Sequence, residues 1–238
     1  MEKRTTGHRF ALSLSQKNIW DLERLLPGTS VNNISTTIRI RGRVDFMLLQ
    51  ESILLVLKSD ASMRTRIVME NGTPMQVHEP FEDEVFPVFD FSHTGGQGLE
   101  SWEAAMTREA IPLTGGPLYR FVLFRTGENE GGVLVKLHHI ISDGWSQVMI
   151  CNRIGQTYLD LLAGKEPELS EAPDYELHVE EEQEYLASAA YKKDERYWKK
   201  VLEKSGEPSV LKNINSAAIS PVGRRKSFDL PQVLNHAI

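Results

Sequence analysis

Between Gly131-Gly132 and Asp143 the chain reads Val133-Leu134-Val135-Lys136-Leu137-His138-His139-Ile140-Ile141-Ser142, and no other stretch restricts the fold as tightly. An apolar run this short, opened by two glycines and closed by a polar loop, reads as a buried strand. Gln147-Val148-Met149-Ile150-Cys151 beyond it begins a helical spacing. Side chains alternate along a strand, so Val133, Val135, Leu137 and His139 share one face while Leu134, Lys136 and His138 share the other. Two adjacent histidines on such a strand do not address one site. His139 falls on the more apolar side. Asp143 falls where the following helix begins, able either to cap it or to pair with an arginine.

Imidazole is the side chain whose ordinary titration lies nearest neutrality, as proton-transfer chemistry needs, so His139 is a candidate catalytic group. Taken alone, the pair is equally well read as strand filler, and Asp143 as a plain helix cap. Joint metal ligation is disfavoured by the opposed faces of His138 and His139, and no further Cys/His cluster lies near them, so no metal is expected. The rest is the composition of an ordinary globular chain: 238 residues, 40% hydrophobic and 25% charged. A net charge of −6 without a basic run gives no reason to expect a nucleic-acid groove. Cys151 is the one cysteine, which excludes an intrachain disulfide and fits a reducing interior. Met1 to Arg9 carries no apolar signal region and no stretch is long enough to span a bilayer, so the expectation is a soluble cytoplasmic protein. No glycine-rich phosphate loop follows a strand, and no nucleophile-elbow pattern surrounds Ser13, Ser15, Ser142 or Ser146.

Taken from the N-terminus, Ser15 is placed to cap a helix with an apolar face of Ile19, Leu22 and Leu25-Leu26, stopped by Pro27-Gly28, with Trp20 in the core. A strand follows over Ser35 to Arg41, then a helix from about Asp45 with Leu48, Leu49, Ser52, Ile53, Val56 and Leu57 at helical spacing. Ser59-Asp60 is a loop running into a strand through Met63-Arg64-Thr65-Arg66, and Asn71-Gly72 turns a hairpin into Met75 to His78. Residues 80–100 read as loop, Leu99 to Ala110 as helix, and Leu118 to Phe124 as strand. His78 and His93 read as surface histidines. Beyond the central loop, Val148, Ile150-Cys151, Ile154, Tyr158 and Leu161-Leu162 mark one long helix ending at Gly164. Lys165 to Pro173 is a polar linker, and Tyr175 to Ala187 and Tyr191 to Leu202 are two further helices. From Ser205 the chain reads as loop, then as a strand over Arg224 to Leu230 and the start of a helix at Pro231.

The string His138-His139-x-x-x-Asp143-Gly144, followed by Trp145-Ser146, resembles the signature of the condensation domains of nonribosomal peptide synthetases and of the wider acyltransferase superfamily that includes chloramphenicol acetyltransferase. Leu12-Ser13, Gln16 and Trp20 resemble the opening motif of those domains. Met63-Arg64-Thr65 resembles a second motif, usually His-Glu-x-Leu-Arg-Thr, whose first two positions are here Ser59 and Asp60 only loosely. Phe89-Asp90-Phe91-Ser92 and Pro117-Leu118-Tyr119-Arg120 extend the match in the same order.

The resemblance implies an α/β fold, an α+β two-layer sandwich: a chloramphenicol-acetyltransferase-like lobe with a mixed, largely antiparallel sheet flanked by helices. It implies that residues 1–223 are the N-terminal lobe of a condensation domain and 224–238 the start of a truncated C-terminal lobe. His139 becomes the catalytic residue, facing a cleft, with His138, Asp143, Gly144 and Arg64 in support. Arg64 is expected to hold Asp143 in an ion pair whose rupture, if buried, costs roughly 3–5 kcal/mol. Gly144 is expected to allow close backbone approach, its amide polarising a thioester oxygen. The implied reaction is amide formation between a donor acyl or peptidyl thioester and an acceptor aminoacyl thioester. Both are carried on phosphopantetheine arms of carrier domains, with no permanently bound cofactor. Implied partners are donor and acceptor carrier domains, the second half of the same domain and adenylation domains, with neither nucleic acid nor membrane. The alternatives are an epimerisation domain, a stand-alone acyltransferase acting on a coenzyme A thioester, and a catalytically silent docking module for carrier proteins.

Overall fold

The computed structural model describes residues 7–170 and 173–206. In chain order the elements are β1 (Arg9–Ala11), α1 (Leu14–Leu25), β2 (Asn33–Arg41), α2 (Phe46–Ser59), β3 (Thr65–Glu70), β4 (Thr73–His78), β5 (Val88–Asp90), α3 (Leu99–Arg108), β6 (Tyr119–Gly127), β7 (Glu130–His138), α4 (Gly144–Leu162), α5 (Tyr175–Ala187) and α6 (Ala189–Glu203). The expected strand at Arg224 to Leu230, the helix after it and the division at residue 223 lie outside the described residues.

The apolar run of β7 is the inner strand of a four-stranded sheet ordered β2-β7-β6-β5. β2 and β6 flank it antiparallel, while β5 joins β6 in parallel, so the sheet is mixed and largely antiparallel, as expected. Residues 131–138 are all buried, because strands cover both edges of β7 and helices cover both faces. A side chain on Gly132 would strike the Ile38 carbonyl and the Phe124 ring, which accounts for a glycine in a strand interior. On one face Val133, Val135 and Leu137 pack with Leu49, Ile53 and Val56 of α2 and Ile150 and Ile154 of α4. On the other face the buried Lys136 reaches the Met106 and Glu109 carbonyls at the end of α3. That ammonium answers the carbonyls a helix C-terminus leaves unpaired, and burial pushes its pKa down to about 8.

A second, antiparallel sheet, β1-β4-β3, carries the smaller core of Leu12, Ile67, Leu113, Leu118 and Ile140. Its β3–β4 hairpin turns on Asn71 and Gly72, both at positive φ, as the Asn-Gly pair requires. β5 corrects the reading of residues 80–100 as loop. It is three residues long, too short for periodicity to register, and Phe89 and Phe91 are held by Trp102 of α3 at ring-centre distances of 5.4 and 5.5 Å. The α1 cap is Ser13 rather than Ser15, because Gln16 three residues on closes a reciprocal capping box. Leu22 and Leu25 of the expected apolar face stay exposed. His78 is not a surface residue: its ring is half-buried, Nδ1 lies 3.1 Å from the Thr65 hydroxyl, and burial pushes its pKa down. His93 is exposed, as read. Among the described residues no helix is long and apolar enough to cross a membrane.

Candidate functional site

β7 ends at His138, so His139 stands one residue past the strand, at the head of a tight turn over residues 139–141. This refines the strand-face argument: His139 is exposed because the chain has left the sheet, while His138 remains in it, 1% exposed. The turn is tied on several sides. The His139 amide donates to the Asn32 carbonyl at 2.7 Å, and the Ile141 amide to the His138 carbonyl at 3.1 Å. The Ile140 amide donates to Nδ1 of His138 at 3.1 Å, which leaves the imidazole proton on Nε2. Nε2 lies 3.7 Å from the Glu23 carboxylate without a hydrogen bond. That carboxylate already accepts Nδ2 of Asn32 at 2.7 Å, so burial governs the ring, with the neighbouring His139 adding to it, and the His138 pKa falls to about 4.

The exposed His139 ring borders a cleft of about 530 Å³ whose walls include Gln16, Ile19, Met63, Asp143 and Met149. Asp143 is exposed at the N-cap of α4, where Oδ1 accepts both the Ser146 amide and the Ser146 hydroxyl at 2.7 Å. Those two bonds hold its carboxyl below the usual carboxylate range. Gly144 opens the helix at an ordinary backbone angle, and a side chain added there would meet nothing within 4 Å. The chain itself therefore does not demand glycine at this position.

The expected Arg64–Asp143 ion pair is not formed. Arg64 sits in the 3-10 turn after α2, and its guanidinium donates to the carbonyls of Leu57, Lys58 and Asp60 at 2.7, 2.9 and 3.2 Å and to that of Glu79 at 3.1 Å. It closes the C-terminus of α2, whose last carbonyls otherwise lack donors, while Asp143 is spent on α4. The guanidinium bordering the same cleft as Asp143 is that of Arg153, which the sequence reading missed. Arg153 lies 3.5 Å from the Asp60 carboxylate and donates to the Ser59 hydroxyl at 2.9 Å and the Ser170 carbonyl at 3.0 Å. Ser146, Met149 or Ile150, and Arg153 recur at helical spacing, a pattern that puts Arg153 on the cleft face of α4. Among the described residues no group of three or more His, Cys, Asp or Glu is placed to hold a metal ion.

A family model described as the condensation domain matches residues 7–238. The chain belongs to the condensation domain family. Surfactin synthase subunit 1 of Bacillus subtilis is 32% identical over 239 residues, covering 96% of this chain and 6% of that protein. The dimodular nonribosomal peptide synthase of the same organism is 27% identical over 196 residues, covering 82% and 8% respectively. The starter condensation domain of rhizomide synthetase superposes with a TM-score of 0.77 at 24% identity, over 85% of this chain and 50% of that one. The first condensation domain of the CDA synthetase gives 0.75 at 22%, over 87% and 53%. This condensation domain chain thus has the expected fold, and it spans about half the length of the solved domains it matches and a small part of the synthases.

Proposed function

We propose that this chain supplies the reacting imidazole of a condensation domain that forms amide bonds between two carrier-bound thioesters. The observation that carries the reading is the exposed His139 ring bordering the cleft, within the signature string of a chain of this family. The α-amine of an aminoacyl thioester attacks the carbonyl carbon of the donor thioester. The C–N bond forms, the C–S bond breaks, the nitrogen loses a proton and the departing thiolate gains one. Neutralising an α-amine at pH 7 costs only about 1–1.4 kcal/mol, so deprotonation alone is a small part of the barrier. His139 contributes more by orienting the amine and taking its proton as the bond forms. Asp143 acts by capping α4, which fixes the loop between His139 and the helix. The Gly144 amide, at the positive end of α4, is the group we assign to polarise the thioester oxygen.

The phosphopantetheine arms belong to the carrier domains and arrive with the substrates. Adenylation domains load those carriers, and the second half of the domain completes the cleft. The relatives support this setting, one being a subunit of surfactin synthase and the other a nonribosomal peptide synthase. The test is amide formation by a protein carrying the complete domain, with loaded carriers, comparing wild type with His139→Ala. A loss of roughly 10²–10⁴ in turnover with modest change in acceptor KM is expected for a general base. An undiminished rate would refute the assignment. A donor that is epimerised rather than transferred, or transfer from free coenzyme A thioesters, would redirect it to the corresponding relative of the fold. A Gly144→Pro variant with wild-type turnover would remove the amide's role, because proline lacks that N–H and is tolerated at the first position of a helix.

A further inference from the structure

Among the described residues neither ring nitrogen of His139 is hydrogen-bonded, so the ring takes its place from the backbone of residues 139–141 and from the side chains lining the cleft with it. Most ties on that turn come from its own strand and from the Asn32 carbonyl on the chain leading into β2. One side-chain tie comes from a separate element. Nε2 of Gln16, on α1, donates to the Ile140 carbonyl at 3.0 Å. Gln16 is itself fixed: it is 3% exposed, its Oε1 accepts the Ser13 amide at 2.9 Å, and it exchanges two hydrogen bonds with Gln76 of β4 at 3.0 and 2.8 Å. Gln76 is fully buried and anchored in turn by donating to the Ala11 carbonyl at 2.8 Å.

A buried pair of amides is a costly way to fill a core, because every donor and acceptor must be met. Two leucines would pack that space but leave the Ser13 amide and the Ile140 and Ala11 carbonyls without these partners. What the amides add is a fixed donor aimed at the residue following His139. We propose that Gln16, braced by Gln76, is a positioning residue for His139, acting through the Ile140 carbonyl. The inference rests on His139 being the reacting imidazole, and near-attack geometry makes such a role consequential: a displacement of about 1 Å can cost about 10²-fold in rate.

The test uses the complete domain with loaded carriers and two variants. Gln16→Glu keeps the acceptor for Ser13 and for Nε2 of Gln76 but removes the donor both to Ile140 and to Oε1 of Gln76. The paired Gln16→Met, Gln76→Met replaces both amides by apolar chains of similar length, which strands neither side chain against the other, although the Ser13 amide and the Ile140 and Ala11 carbonyls lose these partners. The expected result is a fall of about 10- to 100-fold in kcat with acceptor KM within about threefold of wild type, measured well below the melting temperature of each variant. Each variant is repeated on the His139→Ala background, where the Gln16 effect should vanish. Wild-type kcat in the folded paired variant, or an equal loss on both backgrounds, overturns the positioning role and leaves the His139 reading standing. Retention of the rate by His139→Ala alone would instead bring down that reading.

Discussion

At the scale of single residues, adjacent histidines of one motif lead different lives because the strand ends between them. His138 is held neutral in the fold, with a pKa near 4 against 6.5 for a free imidazole. Between those values the unfolded chain binds the proton and the fold does not, so stability falls as pH drops from about 6.5 towards about 4. The shift corresponds to roughly 3 kcal/mol at the acid end. His78, also depressed by burial, adds a slope of the same sign, so the measurement is a difference. Urea denaturation of wild type and His138→Asn across pH 4 to 7 should show the variant with the shallower dependence, since Asn keeps an acceptor for the Ile140 amide and cannot titrate. Equal slopes would remove the assignment. Asp143 has a slope of the same sign, although here the charged form is the one the fold favours: its cap is in force above the ordinary carboxylate range and is lost as pH falls through its lowered pKa. Asp143→Ala should cost about 1 kcal/mol, the worth of an N-cap, rather than the loss of a buried ion pair. His139 and Asp143 were legible because the strand, the loop and the helix onset fix their places in the sequence. Arg153 was not, because nothing in a helical period says which charged residue on the cleft face will find a partner.

Elements were read best where a pattern was long and carried its own punctuation. Asp45 before the apolar face of α2 and Asn71-Gly72 between two strands are local signals, and both hold. β5 and the destination of Arg64 depend on residues distant in sequence or on backbone groups, which no pattern of side chains encodes. Arg64 offers a direct test of the corrected partner. If it seals the α2 C-terminus, Arg64→Met should destabilise by roughly 1–3 kcal/mol through stranded carbonyls, with Arg64→Lys costing less. Combined with Asp143→Ala the losses should add to within about 0.5 kcal/mol, as for sites without a shared partner. A coupling of more than about 1 kcal/mol in that cycle, measured by denaturation midpoints at constant m-value, would restore the ion pair.

For the whole molecule, the decisive fact is that the solved condensation domains it matches are about twice as long. Among the described residues, apolar side chains on two helices stand open to solvent. On α6, Trp198 and Leu202 stand one turn apart and are 59% and 65% exposed, with Tyr197 and Val201 beside them, and on α1 Leu25 is 77% exposed. Apolar residues recurring on one helix face mark a contact surface more often than a solvated one. We therefore expect residues 1–238, prepared alone, to self-associate at micromolar concentration and to turn over no carrier-bound thioesters, although the turn bearing His139 is complete within them. Sedimentation velocity of the chain against Trp198→Lys, Leu202→Lys separates the causes. If α6 drives association, the variant sediments as a monomer with an unchanged melting temperature, and if both proteins are monomeric the apolar face is simply tolerated in water. Turnover in either isolated form would mean that the further length of the solved condensation domains is dispensable for the chemistry, and that the His139 side of the cleft binds and activates both thioesters by itself.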